Sequence, residues 1–370
     1  MPDVAQADRA RTEGLRAGTV GAGTVGADKV GADKVRGDRM RAGWANAVTN
    51  PILILGAPRS GTTWLAKIID SHPDVLYRHE PDETLPSPAV VTPESLPALL
   101  RSWIADRTPR SVAKRPFFAK SWQPAPGRWL RTAWAGAAGL SSRLPVPFSV
   151  LGHLPIPDLA IHPPPRVALK SVRWTQGAPV LARAMPDSRI LFILRHPCGQ
   201  VASVMRGNRQ NRFDLRTEGT DMPFDEERAI RHAAAFGVDE PSFQALPDAG
   251  KYAWSWRAFN EPADAALAGL PNVLIVPYEA LCAAPMAESR RVMAFVDLAW
   301  NRQTEDFIAR STTHDGDAGY YAIFRNAVAA AGRWRTTMPE ADQRAVRHVV
   351  MASPLARYWP DLAAASPAAG

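Results

Sequence analysis

The chain has 370 residues, 46% of them hydrophobic, with a formal net charge of +8 and a pI near 9.8. That length can bury one large core or two modest ones. The Lys and Arg are spread along the chain and not gathered in one run, which argues against nucleic acid and for a small, highly charged nucleotide partner.

Residues 1–45 carry Val20, Val25, Val30 and Val35 at a spacing of five. Five matches neither the helix nor the strand period, and the valines are too sparse to build a core. The expectation is a disordered, low-complexity tail over 1–45, or translation that begins at Met40, with one domain over 46–370. No apolar leader is apparent at the N-terminus, and no apolar run reaches the ~18 residues of a membrane span. The nearest, 144–157, carries four prolines. Cys198 and Cys282 lie in unrelated contexts, with no C-x-x-C spacing and no His at ligand spacing, which predicts no metal site and a reducing, cytoplasmic setting.

From Pro51 onward strands alternate with helices. Ile52–Leu55 is wholly apolar and ends at Gly56, as suits a strand buried on both faces. Thr63–Asp70 has helical spacing, with Leu65, Ile68 and Ile69 on one side. A short strand is expected at Val75–Tyr77, and buried strands at Val167–Leu169, Ile190–Leu194 and Val273–Val276. Repeated βα units predict an α/β fold, a P-loop-like parallel sheet flanked by helices in a single domain. Two insertions interrupt it: 101–165, dense in Trp and Pro, and 206–248, charged and poorly periodic. They read as lids on the acceptor side or as ordinary surface loops.

The strongest local signal is Gly56-Ala57-Pro58-Arg59-Ser60-Gly61-Thr62-Thr63-Trp64, between a strand and a helix. Backbone N–H groups in such a turn, with the helix N-terminus, make a nest for a phosphate oxyanion. Gly61 permits the turn, Ser60, Thr62 and Thr63 add hydroxyl donors, and Arg59 brings full charge. In the nucleoside-triphosphate loop G-x-x-x-x-G-K-[ST], a lysine reaches the β and γ phosphates. Here Thr62 stands in its place, which counts against ATP or GTP, though a kinase or nucleotidase with a degenerate loop is the alternative reading.

Pro58 to Trp64 resembles the 5′-phosphosulfate loop of the sulfotransferases that use 3′-phosphoadenosine 5′-phosphosulfate (PAPS). The stretch Ser71-His72-Pro73-Asp74-Val75-Leu76-Tyr77-Arg78-His79-Glu80-Pro81 is similar to one in the carbohydrate and tyrosylprotein branches of that family. Arg195, after Ile190–Leu194, and Ser203, eight residues on, resemble the family's pair for the 3′-phosphate. An arginine fork and a hydroxyl one to two turns later can face one anion. Val276-Pro277-Tyr278-Glu279-Ala280-Leu281 resembles a structural Y-E-x-L segment, and Gly332-Arg333-Trp334-Arg335 a C-terminal element near the nucleotide, which would bring in Arg333.

The resemblance implies PAPS as sulfuryl donor, no metal, and a hydroxyl acceptor on a sugar, glycolipid or small molecule. Sulfuryl transfer needs a base and cations where charge builds. Glu80 is the candidate base, with His79 as rival because imidazole titrates nearer neutrality. Arg59 is expected to neutralise the leaving phosphate. Lys170, at the end of the third strand, is expected to approach the transferred group or else to be a plain surface lysine. His196 and Arg206 read as solvated helix-end residues, and Trp64 as core.

Overall fold

Ile52–Leu55 (β1) contains no polar side chain, and all four residues are at most 1% exposed, as a strand covered on both faces requires. It pairs in parallel with Arg166–Ser171 (β3) on one side and Arg189–Leu194 (β4) on the other. Val75–His79 (β2) joins beyond β3 and Val273–Pro277 (β5) beyond β4, giving the order β2-β3-β1-β4-β5 with every pair parallel. The fold is therefore α/β, a five-stranded all-parallel sheet flanked by helices. The computed structural model describes residues 50–82, 91–141, 154–210, 224–312 and 327–363; the expected tail over 1–45 lies outside them.

The chain leaves β1 through Thr62–Asp70 (α1) and runs outward to β2, returns to β3, then crosses over β1 to β4. The loops after β1 and its neighbours thus diverge at one edge of the sheet, where open parallel sheets hold their ligands. Leu65, Ala66, Ile68 and Ile69 of α1 close the core against Ile52, Ile54, Val75 and Tyr77. Shortening Ile68 or Ile69 to Ala costs roughly 2–5 kcal/mol.

The 101–165 insertion holds the rest of Leu96–Ala105 (α2), then Pro109–Val112 (α3) and Gly127–Ser141 (α4). Its middle is pinned to α1 by a buried network. Lys67 Nζ donates to Asp70 Oδ2 (2.7 Å), to the Lys114 carbonyl (2.6 Å) and to the Pro116 carbonyl (3.2 Å), while Lys120 Nζ reaches Asp70 Oδ1 at 3.0 Å. Burial pulls the Lys67 ammonium down to about 8 despite Asp70. For Asp70 burial works upward, but Lys120 and Lys67 outweigh it and hold the carboxyl at about 2.

After β3 come Ala178–Ala184 (α5) and, beyond β4, Pro197–Arg209 (α6). The 206–248 insertion contains Glu226–Ala234 (α7) and Glu240–Gln244 (α8). Asp225 caps α7 by accepting from the Arg228 N–H, and acidic residues open that helix where basic ones close it, in line with its dipole. Asp248–Leu267 (α9) packs along α6 and leads to β5.

His196 departs from its expected exposure: it is 1% exposed, stacked on the Trp334 ring at 4.6 Å and edge-on to Trp359 at 5.6 Å. The C-terminal segment covers the start of α6, so this helix end is sealed from solvent. Trp64 is buried as expected, edge-on to Tyr278, with Nε1 donating to Ser311 Oγ at 3.1 Å.

Candidate active site

The loop after β1 turns sharply at two glycines that no other residue could replace without displacement. A Cβ on Gly56 would lie 2.7 Å from Ile193 Cγ2, and one on Gly61 2.5 Å from Tyr278 Cδ2, where φ is also +102°. Gly61 is the residue before α1, so the N–H groups of Thr62 and Thr63 have no intrahelical acceptor. Thr62 is buried and Thr63 half-buried there. Arg59, a non-glycine residue at φ +69°, holds a left-handed turn that costs on the order of 1–2 kcal/mol.

Contacts from α6 and the end of β4 clamp this turn. Arg59 Nε donates to Ser203 Oγ at 3.3 Å, Arg195 Nη1 to the Arg59 carbonyl at 3.0 Å, and Gln200 Nε2 to the Pro58 carbonyl at 2.9 Å. The Arg195 guanidinium lies 4.7 Å over the Tyr278 ring. Two buried donors here have no hydrogen-bond partner among the described residues, Ser60 Oγ and Arg195 Nε. A third, Trp334 Nε1, lies beside them, since a Cβ on Gly199 would touch Arg195 Nε at 3.3 Å and Trp334 Cδ1 at 3.2 Å.

The strand register sets a second group along the same edge. His79 pairs with Lys170, Ile54 with Lys170 and Leu55 with Ser171, so β1, β2 and β3 end together. Glu80 follows β2 at φ +48°, its N–H donating to the Lys170 carbonyl at 2.8 Å. Its carboxylate is in an ion pair with Lys170 and receives Arg110 Nη2 at 3.4 Å. Burial works to raise the Glu80 carboxyl, but Lys170, with His79 and Arg110, outweighs it and keeps it well below the usual carboxylate range. His79 is driven well below its ordinary value, first by burial and then by Lys170. Its Nδ1 shares a 2.7 Å hydrogen bond with the Tyr77 hydroxyl.

Two residues on, Asp82 is 1% exposed, and burial pushes its carboxyl up to about 6 although Ser171 Oγ donates to it at 2.5 Å. The charges of Lys170, Glu80 and Arg59 all act on Lys114, whose ammonium is lowered chiefly by burial. Arg59, Lys114, Lys170 and Glu80 thus share one field.

The structure brings Arg59, Ser60, Arg195 and Ser203 into one cluster and Glu80 with Lys170 into the next. Arg333 stands apart: it is exposed, and its neighbour Trp334 is the residue that packs inward. Sequence reasoning missed Arg110, Lys114, Gln200 and Asp82. Arg110 and Lys114 sit in a Pro- and Trp-rich insertion without periodicity, so the fold is needed to set Arg110 on Glu80 and Lys114 within the field of Lys170, Glu80 and Arg59. Asp82 had a signal, its place two residues after Glu80.

Against known proteins, no curated sequence matches this chain. Among solved structures, a mouse sulfotransferase complexed with PAP is 16% identical, with 90% of this chain and 95% of that one covered and a TM-score of 0.42. The sulfotransferase domain of the Synechococcus PCC 7002 olefin synthase is also 16% identical, with coverage of 81% and 94% and a TM-score of 0.39. A Mycobacterium tuberculosis sulfotransferase is again 16% identical, covering 82% and 80%, at a TM-score of 0.35. The profile described as Sulfotransferase family matches residues 51–302, which include the loop after β1, Glu80, Lys170, Arg195 and Ser203. That is more than half of the chain, and the chain belongs to the sulfotransferase family.

Proposed function

We propose that this enzyme moves the sulfuryl group of PAPS onto an acceptor hydroxyl by in-line displacement. The observation that carries the donor assignment is the pair of buried, unpartnered donors, Ser60 Oγ and Arg195 Nε, on the two elements expected to meet its phosphates. Each such group costs about 1–3 kcal/mol while unsatisfied, and an anion seated there would remove that cost. The solved mouse relative is complexed with PAP, the product such a donor leaves.

In this reading Ser60, Gly61, Thr62 and Thr63 hold the 5′ end, and Arg195 with Ser203 holds the 3′-phosphate. Arg59 joins the two, because its Nε already donates to Ser203. Exposed Arg333 contributes long-range charge only. Bound PAPS would supply an electrophilic sulfuryl group on a phosphate leaving group. Arg59 and Lys170 stabilise the charge that develops on that side. Glu80 accepts the hydrogen bond, and then the proton, of the acceptor hydroxyl. The E-P pairing at Glu80-Pro81 favours an alcohol of a sugar, glycolipid or natural product over a protein tyrosine, and allies the chain with the carbohydrate branch.

Adenosine 3′,5′-bisphosphate should raise the melting temperature much more than ATP does, since a ligand of the native state stabilises it by mass action. Equal shifts with ATP, strengthened by Mg²⁺, would remove the PAPS assignment. Glu80→Gln should bind the bisphosphate normally and turn over roughly 10²–10⁴-fold more slowly. Unchanged turnover, measured as the gain of one SO₃ on the acceptor, would take the base away from Glu80.

A further inference from the structure

Helix α4 exposes an apolar face that no described residue covers. Trp129, Ala133, Ala137 and Leu140 lie along one line of it, with Leu130 and Trp134 beside them, and all six are exposed. Trp129 is 70% exposed and Leu140 65%, far beyond what a lone surface apolar residue needs. The opposite face carries the packing. Ala135 meets Val112 and Ile156, and Arg131 donates to the Val112 carbonyl at 2.8 Å while lying 5.2 Å over Phe117.

The stretch of sequence that carries this helix has charge of one sign. From Arg107 to Ser141 there are seven Lys and Arg and not one Asp or Glu. Lys120 and Arg131 are buried and Lys114 half-buried, which leaves Arg107, Arg110, Arg115 and Arg128 at the surface. Arg107 is partly balanced by Asp158 at 3.4 Å and Arg110 by Glu80. Arg115 lies against α4 itself, its Nη2 3.7 Å from where a Cβ on Gly136 would stand. Arg128 flanks the tryptophans in the first turn.

We propose that α4 seats this chain on a lipid surface bearing anionic headgroups, with Trp129, Leu130, Trp134 and Leu140 in the interface and the arginines against the headgroups. Exposed indoles beside arginines on an amphipathic helix are the composition that partitions into the headgroup region. The helix spans about 22 Å, too short to cross the ~30 Å hydrocarbon core, so it lies on the surface. A second copy is the poorer occupant, because a symmetric contact through this face would bring the same arginines together. Docking here sets α3, whose Arg110 touches Glu80, one layer from the lipid.

Binding needs neither donor nor turnover, so this inference and the sulfuryl-transfer reading can fail separately. The test is co-sedimentation of the full chain with phosphatidylcholine vesicles, with and without about one third phosphatidylglycerol. The chain should pellet with the anionic vesicles, and less so as salt rises. Trp129→Ala combined with Trp134→Ala should lower partitioning on the order of tenfold or more, and Arg128→Glu by roughly fivefold or more, at unchanged melting temperature. Brominated lipid should quench part of the wild-type tryptophan emission. Failure to pellet, equal pelleting with neutral vesicles, or a double variant that binds like wild type would each overturn the proposal. So would a concentration-dependent dimer that the double variant abolishes in a chain that ignores vesicles.

Discussion

Replacing Asp82 by Asn should make the protein more stable at neutral pH, although it removes a buried carboxyl group beside the candidate base. Burial raises the Asp82 carboxyl from 3.8 to about 6. Below pH 3.8 it is protonated in both folded and unfolded chains, and its contribution is at its most favourable. As pH rises through 6 the folded chain must ionise a desolvated group, and that contribution is lost. A difference of about two pH units at 1.36 kcal/mol each sets the loss near 3 kcal/mol. Asn keeps an acceptor for Ser171 Oγ and carries no charge. Chemical denaturation should therefore find Asp82→Asn more stable than wild type by about 1–3 kcal/mol at pH 7.5, with the gap closing by pH 4. A variant that is less stable at pH 7.5, or equally shifted at both pH values, would refute the reasoning and make Asp82 a structural acceptor only.

Gly61→Ala should destabilise the fold by roughly 2–4 kcal/mol, because it adds a Cβ against Tyr278 in a left-handed backbone, and a thermal melt reads it directly. Asp70→Asn strips the counter-charge from Lys67 and Lys120 and should cost about 3–5 kcal/mol at pH 7. Because the folded Asp70 carboxyl is depressed to about 2, that difference should shrink as pH falls from 3.8 through 2, as denaturation at stepped pH would record. Arg195→Ala should weaken adenosine 3′,5′-bisphosphate binding by about 1.5–3 kcal/mol and Ser203→Ala by about 1, in a titration calorimeter, with little change in melting temperature.

The strands were legible because a two-sided sheet demands unbroken apolar runs, and Ile52–Leu55 has its full expected extent. Ends set by pairing were less so. β3 runs on to Ser171 because Leu55 of β1 pairs with it, and β2 to His79 because Lys170 does. The loop after β1 announced itself by its glycines, and the contact between Arg59 and Ser203 joins residues that its motif and the next one supplied separately. Hidden from the sequence was whatever depends on distant partners. His196 reads as a helix end, and only Trp334 and Trp359, well over a hundred residues later, bury it. In the Gly332–Arg335 element the phase was not legible: Trp334 is buried and Arg333 exposed.

The identity of the base turns on Lys170. A carboxylate held well below its usual range is always ionised at neutral pH, but it pulls weakly on a proton. His79 is weakened too, because burial and Lys170 lower it, and Tyr77 already engages its Nδ1. Glu80 itself has little freedom: its backbone is in the left-handed region and tied to the Lys170 carbonyl. Lys170, a point charge on a flexible four-carbon stem, is the partner that the proposed mechanism has move. Arg59, in the loop that follows the neighbouring strand β1, marks where the donor's negative charge would draw the ammonium. Each step of Lys170 toward that loop weakens the ion pair that depresses Glu80 and so raises its proton affinity. In the proposed reaction, charge stabilisation on the donor side and proton uptake on the acceptor side would be two ends of one lysine's displacement, and the two residues sit on adjacent strand ends.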